Sequence, residues 1–208
     1  MSKLKRWEIF LLGTLCQALG IALVVKSSLG TSPISSVPYV FSLVAPLSFG
    51  QTTFVVNMIF LLVQIILLRR RFQKVQLLQI PATIIFAALI DVAMFAFNPL
   101  VPQNYFFKLV ILGIGMNFVS LGVALQVVAN VLMLAGEAFV TAISIVSKIK
   151  FDHVKTAFDC ALVLIAVVWS YSALGVVEGV REGTLLSALF TGTIAGFFMP
   201  RVKKVFCR

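Results

Sequence analysis

The sequence predicts an all-α integral membrane protein with six transmembrane helices, arranged as two inverted three-helix repeats that each carry one re-entrant or broken helix. Three observations predict it. Hydrophobic residues make up 61% of the 208-residue chain and charged residues 12%, with a mean hydropathy of +1.09, so there is too little polar surface to face water all round. The chain resembles itself at an offset of 102 residues, where Gly13, Leu19, Gly20, Ala22, Leu23 and Val25 fall on Gly115, Leu121, Gly122, Ala124, Leu125 and Val127. Lastly, the basic residues segregate to one side of the implied topology, as the positive-inside rule requires.

The stretches Ile9–Val25, Thr52–Leu68, Leu77–Phe97, Phe107–Val127, Thr156–Ala173 and Thr184–Met199 are each apolar over about 16–21 residues, near the ~20 needed to cross the hydrocarbon. Two further apolar pieces, Pro33–Leu47 and Val131–Ser147, occupy matching places in the two repeats and are shorter or more broken. If both crossed, Arg69, Arg70, Arg71 and Lys74 would lie outside. If neither does, 14 of the 17 Lys and Arg lie inside, and only Lys26, Lys108 and Arg181 remain at the outer face. Three spans per repeat then invert the second copy, a construction that many transporters use to build a midplane site. The expected organisation is a single membrane domain over 1–208, with repeat one at about 7–98 and repeat two at about 105–200.

The formal charge of +10 orients the chain against an anionic inner leaflet and calls for no nucleic-acid partner. Trp7 near the inner face, and Tyr105, Trp169 and Tyr171 near the outer one, fit interfacial belts. The first apolar run is long and lacks a clean small-x-small cleavage site, so it reads as a retained span and not a signal peptide. Cys16 and Cys160 fall in spans and Cys207 in the inner tail, which predicts no structural disulfide and no metal site. No Walker motif occurs, and neither a nucleophile–base pair nor a cofactor motif is evident, so the expectation is a non-enzyme without cofactor. The lipid bilayer and a small solute or ion are the expected partners, with a homodimer left open.

The segment Lys26–Tyr39 holds Gly30, Pro33 and Pro38 among Ser27, Ser28, Thr31, Ser32, Ser35 and Ser36. Irregular backbone of this kind is tolerated at membrane depth only when protein or a watery cavity surrounds it. Thr31 or Ser32 before Pro33 reads as an N-cap followed by proline in the first turn, which aims a helix N-terminus at the centre of the molecule. In the second repeat Glu137 aligns with Ser35 and Asp159 with Asn57. Carboxyl groups in apolar segments are costly and mark functional sites unless they are paired or wetted, with Lys148, Lys150 and Lys155 as the candidate structural partners. Asp91 lies deep in the third span, with Lys26 or Lys108 as its prospective cationic partner. The candidate solute contacts are therefore Thr31, Ser32, Ser35, Asn57 and Gln17, and the candidate ion- or proton-coupling residues are Glu137, Asp159 and Asp91. Gln64, Asn117, Gln126 and Asn130 extend a polar path or bond between helices. His153 reads as a solvated turn residue at a helix start. Gly192 with Gly196, and Ala18 with Ala22, read as small-xxx-small packing faces.

The run from Gly20 to Pro33, containing Ser28-Leu-Gly-Thr-Ser-Pro33, resembles the YitT/YczE-like group of bacterial membrane proteins, as do Ser48-Phe-Gly50 and Arg181-Glu-Gly-Thr184 with Gly192. The resemblance implies a bacterial inner (cytoplasmic) membrane location and specifies no substrate. Relatives carry a second glycine-rich acidic segment, from which Met133-Leu-Ala-Gly-Glu137 departs. The function expected is secondary transport or facilitated permeation of a small solute or ion, with both termini cytoplasmic. The alternative is an accessory or regulatory membrane protein, or a substrate-capturing subunit of a larger complex.

Overall fold

A computed structural model describes residues 2–206; Cys207 lies outside them. Eight α-helices follow one another, with no strand among the described residues: α1 (Lys3–Lys26), α2 (Pro33–Val44), α3 (Phe49–Leu68), α4 (Gln79–Ala96), α5 (Tyr105–Ala129), α6 (Ala135–Ser147), α7 (Phe151–Leu174) and α8 (Glu182–Phe206). Two short 3-10 turns, Arg69–Arg71 and Lys74–Leu78, join α3 to α4. Six of the helices are long and apolar enough to cross a membrane, while α2 and α6 have only 12 and 13 residues. At 1.5 Å per residue these two rise only about 18–20 Å, short of the ~30 Å hydrocarbon core. The chain therefore reads as a multi-pass membrane protein.

Local chemistry explains the boundaries. Ser48 and Gln51 form a reciprocal capping box at the start of α3. Asn130 closes α5 and Gly175 closes α7 in left-handed conformations that release the chain into turns. Pro33 occupies the first turn of α2 behind Ser32, as expected, but the Ser32 hydroxyl does not cap the helix. It donates instead to Ser35 Oγ at 2.9 Å, because the side chain turns inward to a polar neighbour.

Helix α1 packs against α5 and α4, α5 against α8, and α3 against α2, α4 and α6, while α7 packs against α2 and α6. The α1–α5 seam is a close antiparallel crossing of glycines. A Cβ on Gly13 would lie 2.9 Å from Gly122 O, and one on Gly20 would lie 2.7 Å from Gly115 O and 2.5 Å from Val119 N. Ala18 and Ala22 are fully buried, in keeping with their expected packing role. Gly192 and Gly196 correct the other expectation, since a Cβ on either meets nothing within 4 Å. Their face of α8 is left unpacked because α8 leans on α5 and makes no comparable contact with α7.

Side-chain bonds locate the helix ends relative to each other. Arg6 Nε donates to Ala129 O at 2.8 Å, and its Nη2 also bonds Asn130 O, which places the start of α1 beside the end of α5. Lys26 Nζ donates to Asn98 Oδ1 at 3.2 Å, joining the end of α1 to the end of α4. Arg181 donates to Ser28 O at 3.3 Å and Thr31 N to Gly179 O at 2.9 Å, so the α7–α8 loop closes over the same end.

Candidate functional site

Two cavities with shared wall residues, Gln17 and Glu137 among them, lie where both halves of the chain meet. The narrower, of about 30 Å³, is lined by Gln17, Ser35, Thr53, Asn57 and Glu137 among apolar side chains, and has room for about two waters. The larger, of about 780 Å³, also borders Gln17 and Glu137 and extends past Gln64, Gln126, Lys155 and Asp159 to α8. That volume lies within the usual range for small-molecule sites.

Each polar wall has a local cause. On α5, Gln126 Nε2 donates to Gln17 Oε1 at 3.0 Å and Thr14 Oγ1 at 3.2 Å, a buried crosslink to α1. On α3, Asn57 Nδ2 returns to Thr53 O at 2.9 Å, which satisfies the amide donor within its own helix. Gln64 Nε2 donates to Ala138 O at 3.4 Å and to Gln76 Oε1 at 3.2 Å, holding α6 against α3. Glu137 sits in the first turn of α6, where the helix dipole favours a carboxylate. Asp159 is paired with Lys155 one turn before it on α7, at 2.6 Å, with both side chains partly exposed. The cation at this site is thus Lys155, not Lys148 or Lys150.

The structure gathers Gln17, Ser32, Ser35, Asn57, Glu137 and Asp159 around these cavities. It does not gather Thr31 or Asp91 there. Thr31 is buried against the α7–α8 loop, with both its amide and its hydroxyl donating to Gly179 O. Asp91 pairs with neither Lys26 nor Lys108; it accepts from Gly50 N at 2.7 Å and Ser48 Oγ at 2.6 Å, clamping the end of α4 to the start of α3. A Cβ on Gly50 would come within 2.6 Å of that carboxylate, so the glycine admits the clamp. The reason is geometric: free N–H groups at the α3 start attract a carboxylate as a cation would. Of the extended polar path, Gln64, Gln126 and Asn130 reach the larger cavity, while Asn117 is exposed and bonds Gly113 O. His153 is exposed at the start of α7, and Cys16 and Cys160 are free thiols.

Sequence reasoning missed Gln79 and Ser187, which also face the larger cavity. Gln79 follows a basic loop, and Ser187 is one of four hydroxyl residues in α8 with Thr184, Thr191 and Thr193, so neither stood out. No group of three metal-ligating side chains occurs among the described residues.

Six apolar spans around a partly polar internal cavity define a multi-pass membrane protein with room for a small molecule. More particularly, residues 4–200 match the family described as "Family of unknown function (DUF6198)", and the chain belongs to it. It is 26% identical over 196 residues to "Uncharacterized protein YyaS" of Bacillus subtilis (strain 168), covering 94% of this chain and 92% of that one. The matched family carries this description and not the YitT/YczE-like name. No solved structure matches the chain.

Proposed function

We propose that the protein is a secondary transporter or facilitator of a small solute, built from two inverted repeats whose short helices α2 and α6 re-enter the membrane from opposite faces. Several contacts support the inversion. With the 102-residue offset, Gly13 corresponds to Gly115 and Gly20 to Gly122; the contact of Gly13 with Gly122 and that of Gly20 with Gly115 are then one contact seen twice. Exchanging α1–α4 for α5–α8 turns the α1–α4 packing into α5–α8, α2–α3 into α6–α7, and α2–α7 into α3–α6, all of which occur. The end of α1, the start of α3 and the end of α4 share one end of the molecule, which is what a re-entrant α2 requires.

The observation that carries the transport reading is the larger cavity itself. It takes Gln17, Gln64 and Gln79 from the first repeat and Gln126, Glu137 and Asp159 from the second, as expected of a site at a repeat interface. Under this reading the protein resides in the bacterial cytoplasmic membrane with both termini inside.

Two measurements test it. In a background lacking the native cysteines, single cysteines replacing Arg70 and Lys150 are expected to label only from the cytoplasm, and one replacing Asn104 only from outside. External labelling at position 70 would sink the inverted topology. Purified protein alone in liposomes is expected to catalyse saturable flux of solutes from a panel of amines, amino acids and metal cations. Flux that appears only when an energising partner complex is added would favour the subunit reading instead.

A further inference from the structure

We propose that the larger cavity binds an amphipathic primary ammonium compound: a protonated amine carrying an apolar body. The proposal rests on the cavity being the solute site and names the chemical class of that solute.

Charge supplies the first argument. The ionisable side chains lining the cavity are Glu137, Lys155 and Asp159. Lys155 is engaged by Asp159 at 2.6 Å and also acts on Glu137, so the two carboxylates exceed the one cation by a single charge, and no side chain donates a hydrogen bond to the Glu137 carboxylate among the described residues. An apolar membrane protein holds such a group at a cost unless a cation meets it.

The unpartnered polar atoms agree. Gln64 is 1% exposed, and its Oε1 has no hydrogen-bond partner. The amide orientation is set by Ala138 O, a carbonyl that can accept only from the Gln64 nitrogen. Gln64 therefore carries an unpartnered acceptor, covered within the wall of the cavity. Gln79, equally buried, lines the same cavity with Oε1 likewise unpartnered. Acceptors and a carboxylate in the walls of one cavity suit a ligand with several N–H donors, and a primary ammonium has three.

An apolar body follows from the remaining walls, which include Ile21, Leu68, Val119, Val123 and Leu134. The packing of α8 is consistent with this. In the first half α4 covers α3, but α8 gives α7 no such cover, and the α8 residues Thr191, Gly192 and Ala195 border the cavity at that gap.

Binding to detergent-purified protein, measured by thermal shift and calorimetry, tests the proposal with 2-phenylethylammonium as probe. It is compared with 2-phenylethanol, 3-phenylpropionate, phenethyltrimethylammonium and methylammonium. Saturable binding is expected for 2-phenylethylammonium, at least about tenfold tighter than for each comparator, the size expected for losing one charged hydrogen bond or its ion pair. Gln64→Leu is expected to weaken the probe about tenfold or more. Because Gln64 also holds α6, Gln79→Leu serves as the second variant and is expected to weaken the probe without lowering folded yield. Equal or tighter binding of 3-phenylpropionate or 2-phenylethanol, or no saturable binding of the ammonium, would overturn the proposal. Binding as expected but without flux in liposomes keeps the ligand class and removes the transport reading, so the two fail separately.

Discussion

Gly20→Ala and Gly122→Ala are each expected to lower the folded yield and thermal stability of the detergent-purified protein sharply, by roughly 2–3 kcal/mol or more, the upper range for overpacking a tight core. The new methyl of Gly20→Ala would lie 2.5 Å from Val119 N and 2.7 Å from Gly115 O; that of Gly122→Ala would lie 2.6 Å from Gly13 O and 2.7 Å from Gln17 N. The obstacles are backbone atoms, which no rotamer change can move aside. The α1–α5 seam must open, and both α4 and α8 rest on it. Gly196→Ala is the contrast, since its Cβ meets open space and alanine favours a helix over glycine by up to ~1 kcal/mol. It should be neutral or mildly stabilising. Equal loss of stability in Gly20→Ala and Gly196→Ala would show that the seam is not where the halves are held.

Replacing both cavity carboxylates, by Glu137→Gln with Asp159→Asn, is expected to abolish saturable flux or its pH dependence while leaving a folded, membrane-inserted protein. The amides nearly preserve shape. Asp159 and Lys155 form a partly exposed pair four residues apart, so its loss costs only about 0–1 kcal/mol. The functional loss is large for a different reason: without carboxylates the cavity carries only the Lys155 charge, which repels a cationic solute and offers no site for a coupling proton. Asp91→Asn is the control. Its two oxygens accept from Gly50 N and Ser48 Oγ, and an amide nitrogen cannot replace an accepting oxygen. It should therefore cost about 1–3 kcal/mol and lower folded yield without altering the pH profile of the flux. Full flux with an unchanged pH profile in the double variant would remove both carboxylates from the site, leaving the serine-rich segment Thr31–Ser36.

How far the site was legible depended on the kind of signal each residue carried. Glu137 and Asp159 stood out because a carboxyl group in an apolar segment is conspicuous on composition alone. Gln17 and Asn57 reached the cavity for the same reason. Asp91 was equally conspicuous, yet its partners are a helix start and a serine on the neighbouring span, and nothing in the local sequence announces that clamp. Thr31 belonged to a suggestive hydroxyl-rich run, but its bonds go to Gly179 across the α7–α8 loop.

By itself the sequence determined six helices long and apolar enough to cross a membrane, the shortness of α2 and α6, and the recurrence of glycines at a constant offset. These properties are sums over local composition and spacing, and the bilayer acts on them segment by segment. Only the tertiary structure decided which small residues pack. Gly13, Gly20, Gly115 and Gly122 form the seam while Gly192 and Gly196 face open space, although both sets look like packing motifs in one dimension. It also decided that Lys155 takes Asp159, that Asp91 holds α3, and that Gln64 and Gln79 stand in a cavity wall with unpartnered oxygens. A helix face gains or loses its role according to the helix placed opposite it, and that placement is set by the packing of the whole bundle.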